Sequence, residues 1–144
     1  MGSSKIIMLS GIYLIFGFYT AAFNNADESM FKSSMKTATL VQTEQLAQTG
    51  LSLASGYMAN DASKSSFATR TFVTGNDTVR YSASQPAGFP ASQTQVTSVA
   101  THTTVVGGIA KVSRTVTETA VYQYHNNRWK QMRVFTTRNY QDTF

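Results

Sequence analysis

The sequence predicts an α+β fold in which one long amino-terminal helix packs on a carboxy-terminal antiparallel sheet of about four to five strands. Three observations predict this fold. An uncharged apolar run occupies Ile6 to Phe23. Apolar residues then recur at steps of three and four as far as Ala59, which is helical spacing. Beyond Ala59 the pattern changes to short alternating segments separated by turn residues, which is typical of antiparallel β structure.

The composition excludes several classes of function. The 144 residues include 12 Lys and Arg, 7 Asp and Glu, and 36 Ser and Thr. Because the chain has no cysteine, it has no disulfide framework, thiolate zinc site, iron–sulfur cluster or cysteine nucleophile. The basic residues are spread singly between Lys5 and Arg138, so we expect no nucleic-acid partner.

The apolar run from Ile6 to Phe23 has the character of a membrane segment. As a helix it spans roughly 27 Å, close to the ~30 Å hydrocarbon thickness of a bilayer. Lys5 flanks one end, and Asp27 and Glu28 follow the other. The positive charge near the short end predicts that the amino terminus stays inside.

Three interpretations of this run stay open. It is a cleaved secretory signal with Thr20-Ala21-Ala22 as the cleavage site, a simple one-helix anchor, or a helix stored in the membrane and later packed in an assembly. No Pro or Gly separates Phe23 from Met30, which favours a helix continuing beyond the apolar run. Joined from Ile6 to Ala59, it would be roughly 80 Å long.

The amphipathic continuation covers residues 27–59. Its carboxy-terminal half predicts a stripe packed against the sheet, formed by Ala47, Leu51, Ala54 and Met58. Gly50 and Gly56 each weaken the helix by up to ~1 kcal/mol relative to Ala, unless close backbone approach is needed there. Asn60-Asp61 is the expected stop, with Asn60 in the left-handed conformation.

The predicted organisation is an apolar membrane or assembly helix at 1–26, its amphipathic continuation at 27–59, and an antiparallel β domain at 60–144. Turn signals divide the β domain; they are Gly75-Asn76-Asp77, the loop from Gln85 to Pro90, Gly107-Gly108 and Asn126-Asn127. The five strands predicted between them are Phe67 to Thr74, Thr78 to Ala83, Thr94 to Val106, Ile109 to Tyr124 and Trp129 to Thr137.

Alternation along the fourth and fifth strands predicts which side chains face the helix. The helix-facing set of the fourth strand is Val112, Val116, Ala120, Tyr122 and Tyr124, and the outward hydroxyl row is Ser113, Thr115, Thr117 and Thr119. Arg114 and Glu118 share the helix-facing parity, so we expect them to mark a bulge or the sheet margin. In the fifth strand, the prediction puts Trp129 and Phe135 on one face, and Met132 and Val134 on the other.

The sequence offers no chemistry of an enzyme, and we predict no catalytic residue, metal or cofactor. His102 and His125 have no carboxylate at metal-ligand spacing, and no phosphate-binding loop, nucleophile elbow or zinc motif occurs. Basic residues near Trp129 and Tyr140 fit a polyanion or single strand, or an edge strand guarded by charges; they are Arg128, Lys130, Arg133 and Arg138. The edge-strand interpretation is favoured.

Two stretches of the chain resemble type IV pilin-like proteins, the group of pilins, pseudopilins and pilus-assembly minor pilins. Thr39 to Met58 is similar to the second half of the family's helix, with Glu44, Ala47 and Gly50 in matching places. Thr97 to Val121, with Gly107-Gly108 and Ser113-Arg114-Thr115-Val116, is similar to its sheet. The family's Glu in the apolar segment is absent here.

The resemblance implies a structural, non-enzymatic subunit of an extracellular pilus-like filament. Its helices form the filament core, the membrane holds it before assembly, and its partners are other copies of itself and pilus assembly machinery. A small-xxx-small pair, Gly17 and Ala21, permits close helix packing. The expected assembly residues are Ile7, Gly11, Leu14, Gly17, Phe18 and Ala21, and Gly2 is a possible processing site. The alternative is a membrane-anchored or secreted binding module that uses its β domain.

Overall fold

The computed structural model of the chain describes the backbone of residues 2–106 and 109–142, and the side chains of residues 11–104 and 113–138. A long helix, α1 (Gly2–Met58), is followed by a short 3-10 helix at Ala62–Ser65 and five strands. The strands are β1 (Phe67–Thr74), β2 (Asp77–Ser84), β3 (Gln93–Val106), β4 (Ile109–His125) and β5 (Arg128–Asp142). The predicted α+β fold is therefore confirmed. The chain divides into two compact units, Met1–Ala38 and Thr39–Phe144.

The five strands form one sheet in which neighbours along the chain are neighbours in space and every pair is antiparallel. Such a meander needs only short connections. At the turn between β4 and β5, Asn126 and Asn127 have φ values of 52° and 59°. Two consecutive positive φ angles are characteristic of the tight turn that matches the twist of a hairpin.

The turn between β1 and β2 is shorter than predicted. Asp77 belongs to β2 and pairs with Thr74, so the connection consists of Gly75 and Asn76. Gly75, at φ 58°, supplies the left-handed conformation at no steric cost. The predicted turn at Gly107-Gly108 lies outside the described residues.

Helix α1 ends at Met58, and the first strand begins at Phe67 after the short 3-10 helix. The residue in the left-handed region is Ala59, at φ 34°, and not Asn60 as predicted. Side chains of the β4–β5 hairpin bind the backbone just beyond it: Trp129 Nε1 donates to the Asp61 carbonyl at 2.9 Å, and the Tyr124 hydroxyl to that of Asn60 at 3.1 Å. These bonds fix where the chain leaves the helix.

The core lies between the end of α1 and the central strands. Small residues dominate it, which brings the helix backbone close to the sheet. At Gly50 the approach is closest, because an added Cβ would lie 2.1 Å from Ser98 Oγ and 2.7 Å from Val79 Cγ1. The buried hydrophobic residues are Ala47, Leu51, Ala54, Met58, Val79, Ala83, Val96, Ala100, Val116, Ala120, Tyr122 and Trp129.

A β-bulge reverses part of the predicted pattern in β5. Tyr122 pairs with Gln131 and Val121 with Arg133, so Met132 is an extra residue between them. Past this bulge the alternation shifts by one. Trp129 therefore faces the helix while Phe135, which pairs with Thr119, faces outward. The prediction that Trp129 and Phe135 share a face is wrong.

The prediction for Arg114 and Glu118 is also wrong. Both residues sit in uninterrupted pairing, opposite His102 and Ser98 respectively, and each is only 2% exposed. They face the helix and mark neither a bulge nor a margin. The hydroxyl row predicted on the outward face of β4 is half-buried there, from Ser113 to Thr119.

The close approach at Gly50 generates a prediction. Gly50→Ala forces Ser98 and Val79 to move, and overpacking of this kind costs about 1–3 kcal/mol. We expect the free energy of unfolding to fall by that amount in urea denaturation followed by the fluorescence of Trp129, the single tryptophan.

Gly56→Ala is the matched control, since no heavy atom lies within 4 Å of its added Cβ. There the gain in helix propensity should stabilise the fold by up to ~1 kcal/mol. Equal changes of the same sign in the two variants would contradict the close contact.

Candidate assembly segment and buried polar layer

The first part of α1 exposes large apolar side chains on all its sides. Five consecutive residues from Ile12 to Phe16 are between 44% and 73% exposed. At 100° per residue, five successive positions cover the whole circumference of a helix. Phe18, Tyr19 and Phe23 continue the exposure at 60% or more. We call residues 11–23 the assembly segment. A helix that is hydrophobic all round is normally buried by lipid or protein.

The predicted assembly residues lie on this segment as far as they are described. Leu14 and Phe18 are 62% and 73% exposed, and Ala21 is exposed. Gly11 and Gly17 have no heavy atom within 4 Å of an added Cβ, so their backbone is open to a neighbour. Gly2 and Ile7 precede residue 11, where the described side chains begin.

In the described part of the chain, no helix combines the length and the apolarity needed to cross a membrane.

Residues 24–38 continue the helix with a mixed surface. Glu28 and Lys32 form a salt bridge of 2.7 Å one turn apart, and the hydrogen bond and charge of Lys32 lower the pKa of Glu28. Met30 and Phe31 are 72% and 64% exposed. Apolar exposure therefore extends, more sparsely, past the assembly segment.

The four residues predicted to join helix to sheet all lie in the buried core. Ala47 packs with Val79, Ala100 and Val116. The other three, Leu51, Ala54 and Met58, belong to a second cluster that reaches Trp129. Two of the four are alanines. These two contribute mainly by letting the helix approach the sheet closely, and less by the apolar area that they bury.

A layer of polar side chains lies between the helix and the sheet beyond this core. We call it the buried polar layer. Asp77, Arg114 and Glu118 of the sheet are buried, His102 and Glu44 are half-buried, and Gln42 of α1 is exposed at the margin of the layer. His102 Nδ1 is hydrogen-bonded to Asp77 Oδ1, and Gln42 Nε2 donates to Asp77 Oδ2 at 3.4 Å. Helix, β2 and β3 are thus tied at one carboxylate.

The imidazole of His102 is held on both nitrogens, since Thr104 Oγ1 lies 3.3 Å from Nε2. This arrangement could not be predicted from the sequence, because Asp77 and His102 are 25 residues apart. They meet only through the β2–β3 register, which sets them directly opposite. Among the described residues, no group of three His, Asp or Glu could hold a metal ion.

Glu118 is a member of the layer whose burial is costly. Its Oε2 is buried without a hydrogen-bond partner. Burial, and next the charge of Glu44, raise the pKa of Glu118, while a hydrogen bond from Thr136 lowers it. Glu44 itself accepts a hydrogen bond from Arg138 Nε. The layer therefore holds a carboxyl group whose ionisation opposes folding.

Comparison of the chain with models of protein families, with curated proteins and with solved structures finds no match.

The raised pKa of Glu118 predicts how stability depends on pH. The folded chain holds this proton more tightly than the unfolded chain, so the wild type loses stability as pH rises from the ordinary glutamate pKa through the raised one. Glu118→Gln cannot ionise. We expect it to raise the free energy of unfolding at pH 7 by on the order of 1 kcal/mol, and to give no gain below the ordinary pKa.

The measurement is urea denaturation between pH 4 and pH 7, followed by Trp129 fluorescence. Glu28→Gln is the control, because the pKa of Glu28 is lowered, and it should give no gain at any pH. A Glu118→Gln effect that is the same at pH 4 and pH 7 would disprove the role assigned to its ionisation.

Proposed function

We propose that this chain is a structural subunit of an extracellular pilus-like filament, and that the amino-terminal helices of many copies form the filament core. The observation that supports the proposal is the exposure of large apolar side chains around the whole circumference of the assembly segment. A single flat interface would need only one apolar stripe. In the interior of a helical assembly, neighbouring helices would surround such a helix on every side.

The energetics favour a covered segment strongly. Moving one large apolar side chain from water to an apolar environment contributes about 1.5–3 kcal/mol. The segment has eight such exposed side chains: Ile12, Tyr13, Leu14, Ile15, Phe16, Phe18, Tyr19 and Phe23. Before assembly the membrane is the proposed environment, and assembly machinery transfers the segment from lipid to the filament.

The transfer from lipid to filament needs a driving force other than the hydrophobic effect. Lipid is already apolar, so packing of helix against helix must provide it. Gly17 and Ala21 form a small patch on one side of the segment, and the space over Gly17 is open in the single chain. A neighbouring helix could approach there closely enough for extensive dispersion contacts.

A membrane-anchored or secreted binding module is the second candidate. The observation that favours it is the outward face of the sheet, where hydroxyl and basic side chains are accessible. In this case residues 1–26 serve only for export or attachment. The two candidates differ in whether the chain polymerises.

Gly17→Leu tests the filament proposal directly. In the single chain the leucine meets open space, so the β domain should fold as in the wild type, and only packing between copies is blocked. We expect filaments recovered from the cell surface to fall at least tenfold in electron micrographs, which corresponds to about 1.4 kcal/mol of lost packing free energy.

Gly56→Leu is the matched control. It makes the same substitution on the same helix, also in open space, and should leave filaments abundant. Amino-terminal sequencing of the recovered subunit shows whether the chain begins after Gly2. Shed monomers that begin near Phe23, with no filaments, would refute the proposal and support the binding module.

A further inference from the structure

The outward face of the sheet has basic side chains and no acidic ones in its described part. The two described strand acids, Asp77 and Glu118, face the helix and are buried. Four cations, in contrast, are exposed on outward positions of the strands; they are Arg80, Arg128, Lys130 and Arg133. The register thus separates charges that are dispersed along the chain.

Three of these cations form a row along β5. Arg128 pairs with His125, Lys130 with Gln123, and Arg133 with Val121. All three partners point outward, so the basic side chains do too. Outward positions of one strand are about 7 Å apart, and the bulge at Met132 widens the second interval. We call Arg128, Lys130 and Arg133 the basic row.

Apolar side chains accompany the basic row on the same edge of the sheet. Phe135 is the next outward residue of β5 and is 57% exposed. Met132, at the bulge, is 59% exposed and lines a shallow depression of about 290 Å³ with Gln123, His125 and Lys130. A flat exposed ring beside a line of cations is a combination that binds both the backbone and the bases of a nucleic-acid strand.

The sequence-based expectation of no nucleic-acid partner is based on the dispersal of the basic residues along the chain, and the strand register instead gathers three of them on one face. We therefore propose that this face binds single-stranded nucleic acid, with the basic row on the phosphates and Phe135 stacked on a base. Charge complementarity supports this partner, because the face is positive and the described acids of the strands lie on the opposite side. The exposed ring favours a strand with accessible bases over a polyanion that lacks them. The site shares no residue with the assembly segment.

The test uses the full-length chain in a neutral detergent and a fluorescein-labelled 20-nucleotide single-stranded DNA. Fluorescence anisotropy at several salt concentrations gives the affinity and its salt dependence. For single strands, log K falls with log salt at about −0.7 per phosphate contact, so three contacts give a slope of about −2. Arg128→Gln with Arg133→Gln should reduce that slope to about −0.7.

Lys64→Gln with Arg70→Gln is the matched control, because it removes the same charge from the region around Tyr57 and should leave the slope unchanged. Phe135→Ala should weaken binding at least about fivefold without changing the slope, since base stacking is independent of salt-linked contacts. Urea denaturation of each variant establishes that it is folded.

Three results would overturn the proposal. Equal losses in the two double variants would show that only net charge matters. Equal affinity for dextran sulfate, with no effect of Phe135→Ala, would assign the face to a sulfated polysaccharide. Absence of binding by the wild type would refute the proposal by itself, and aggregation of the Arg128→Gln and Arg133→Gln variant alone would then assign the basic row to protection of the edge strand.

Discussion

Close contact between the end of α1 and the sheet is the constraint on which the rest of the β domain depends. Gly50 lets the helix backbone approach Ser98 and Val79, and the alanines at 47 and 54 extend that approach along the helix. Only at this distance can Gln42 reach Asp77 and the Tyr122 hydroxyl reach the Leu51 carbonyl at 3.4 Å. The hydrogen bonds between helix and sheet therefore follow from the small residues, since larger ones would hold the helix too far away.

The elements of this fold could be predicted because each depends on a local pattern. Helical spacing identified Ala47, Leu51, Ala54 and Met58, and Asn126-Asn127 identified the last hairpin. The faces of β5 could not be predicted, because one extra residue at Met132 shifts the alternation and has no sequence signal of its own. Alternation put Arg114 and Glu118 on the helix-facing side, but their burial could not be predicted, because both are surface residues by type. Only the uninterrupted strand pairing shows that they are buried there and mark no bulge. Asp77 and His102 likewise meet only through the strand register.

The polar and charged side chains of the buried polar layer are costly to bury, and pairing between elements offsets part of that cost. Some of its groups are paired across elements: Asp77 with His102, and Glu44 with Arg138, an exposed residue outside the layer. Buried ionic groups contribute little net stability compared with apolar ones, but they penalise arrangements that separate the partners. A helix shifted by one turn on the sheet would leave Asp77 without Gln42. The polar pairs of the layer thus specify where the helix lies along the sheet, while the small residues allow the helix backbone to approach the sheet closely.

The proposed polymerisation through the helix requires that the sheets of different copies do not pair with each other as well. β1 and β5 are the edges of the sheet, and a long edge strand offers unpaired backbone groups to any neighbour. β5 is fifteen residues long, and it has both a bulge and the basic row, which are the features that discourage edge pairing. The same cations that we assign to a nucleic-acid strand therefore also limit contacts between sheets. Because like charges on two copies repel each other, the basic row opposes pairing between sheets. The proposed association through the uncharged residues of the assembly segment carries no such penalty.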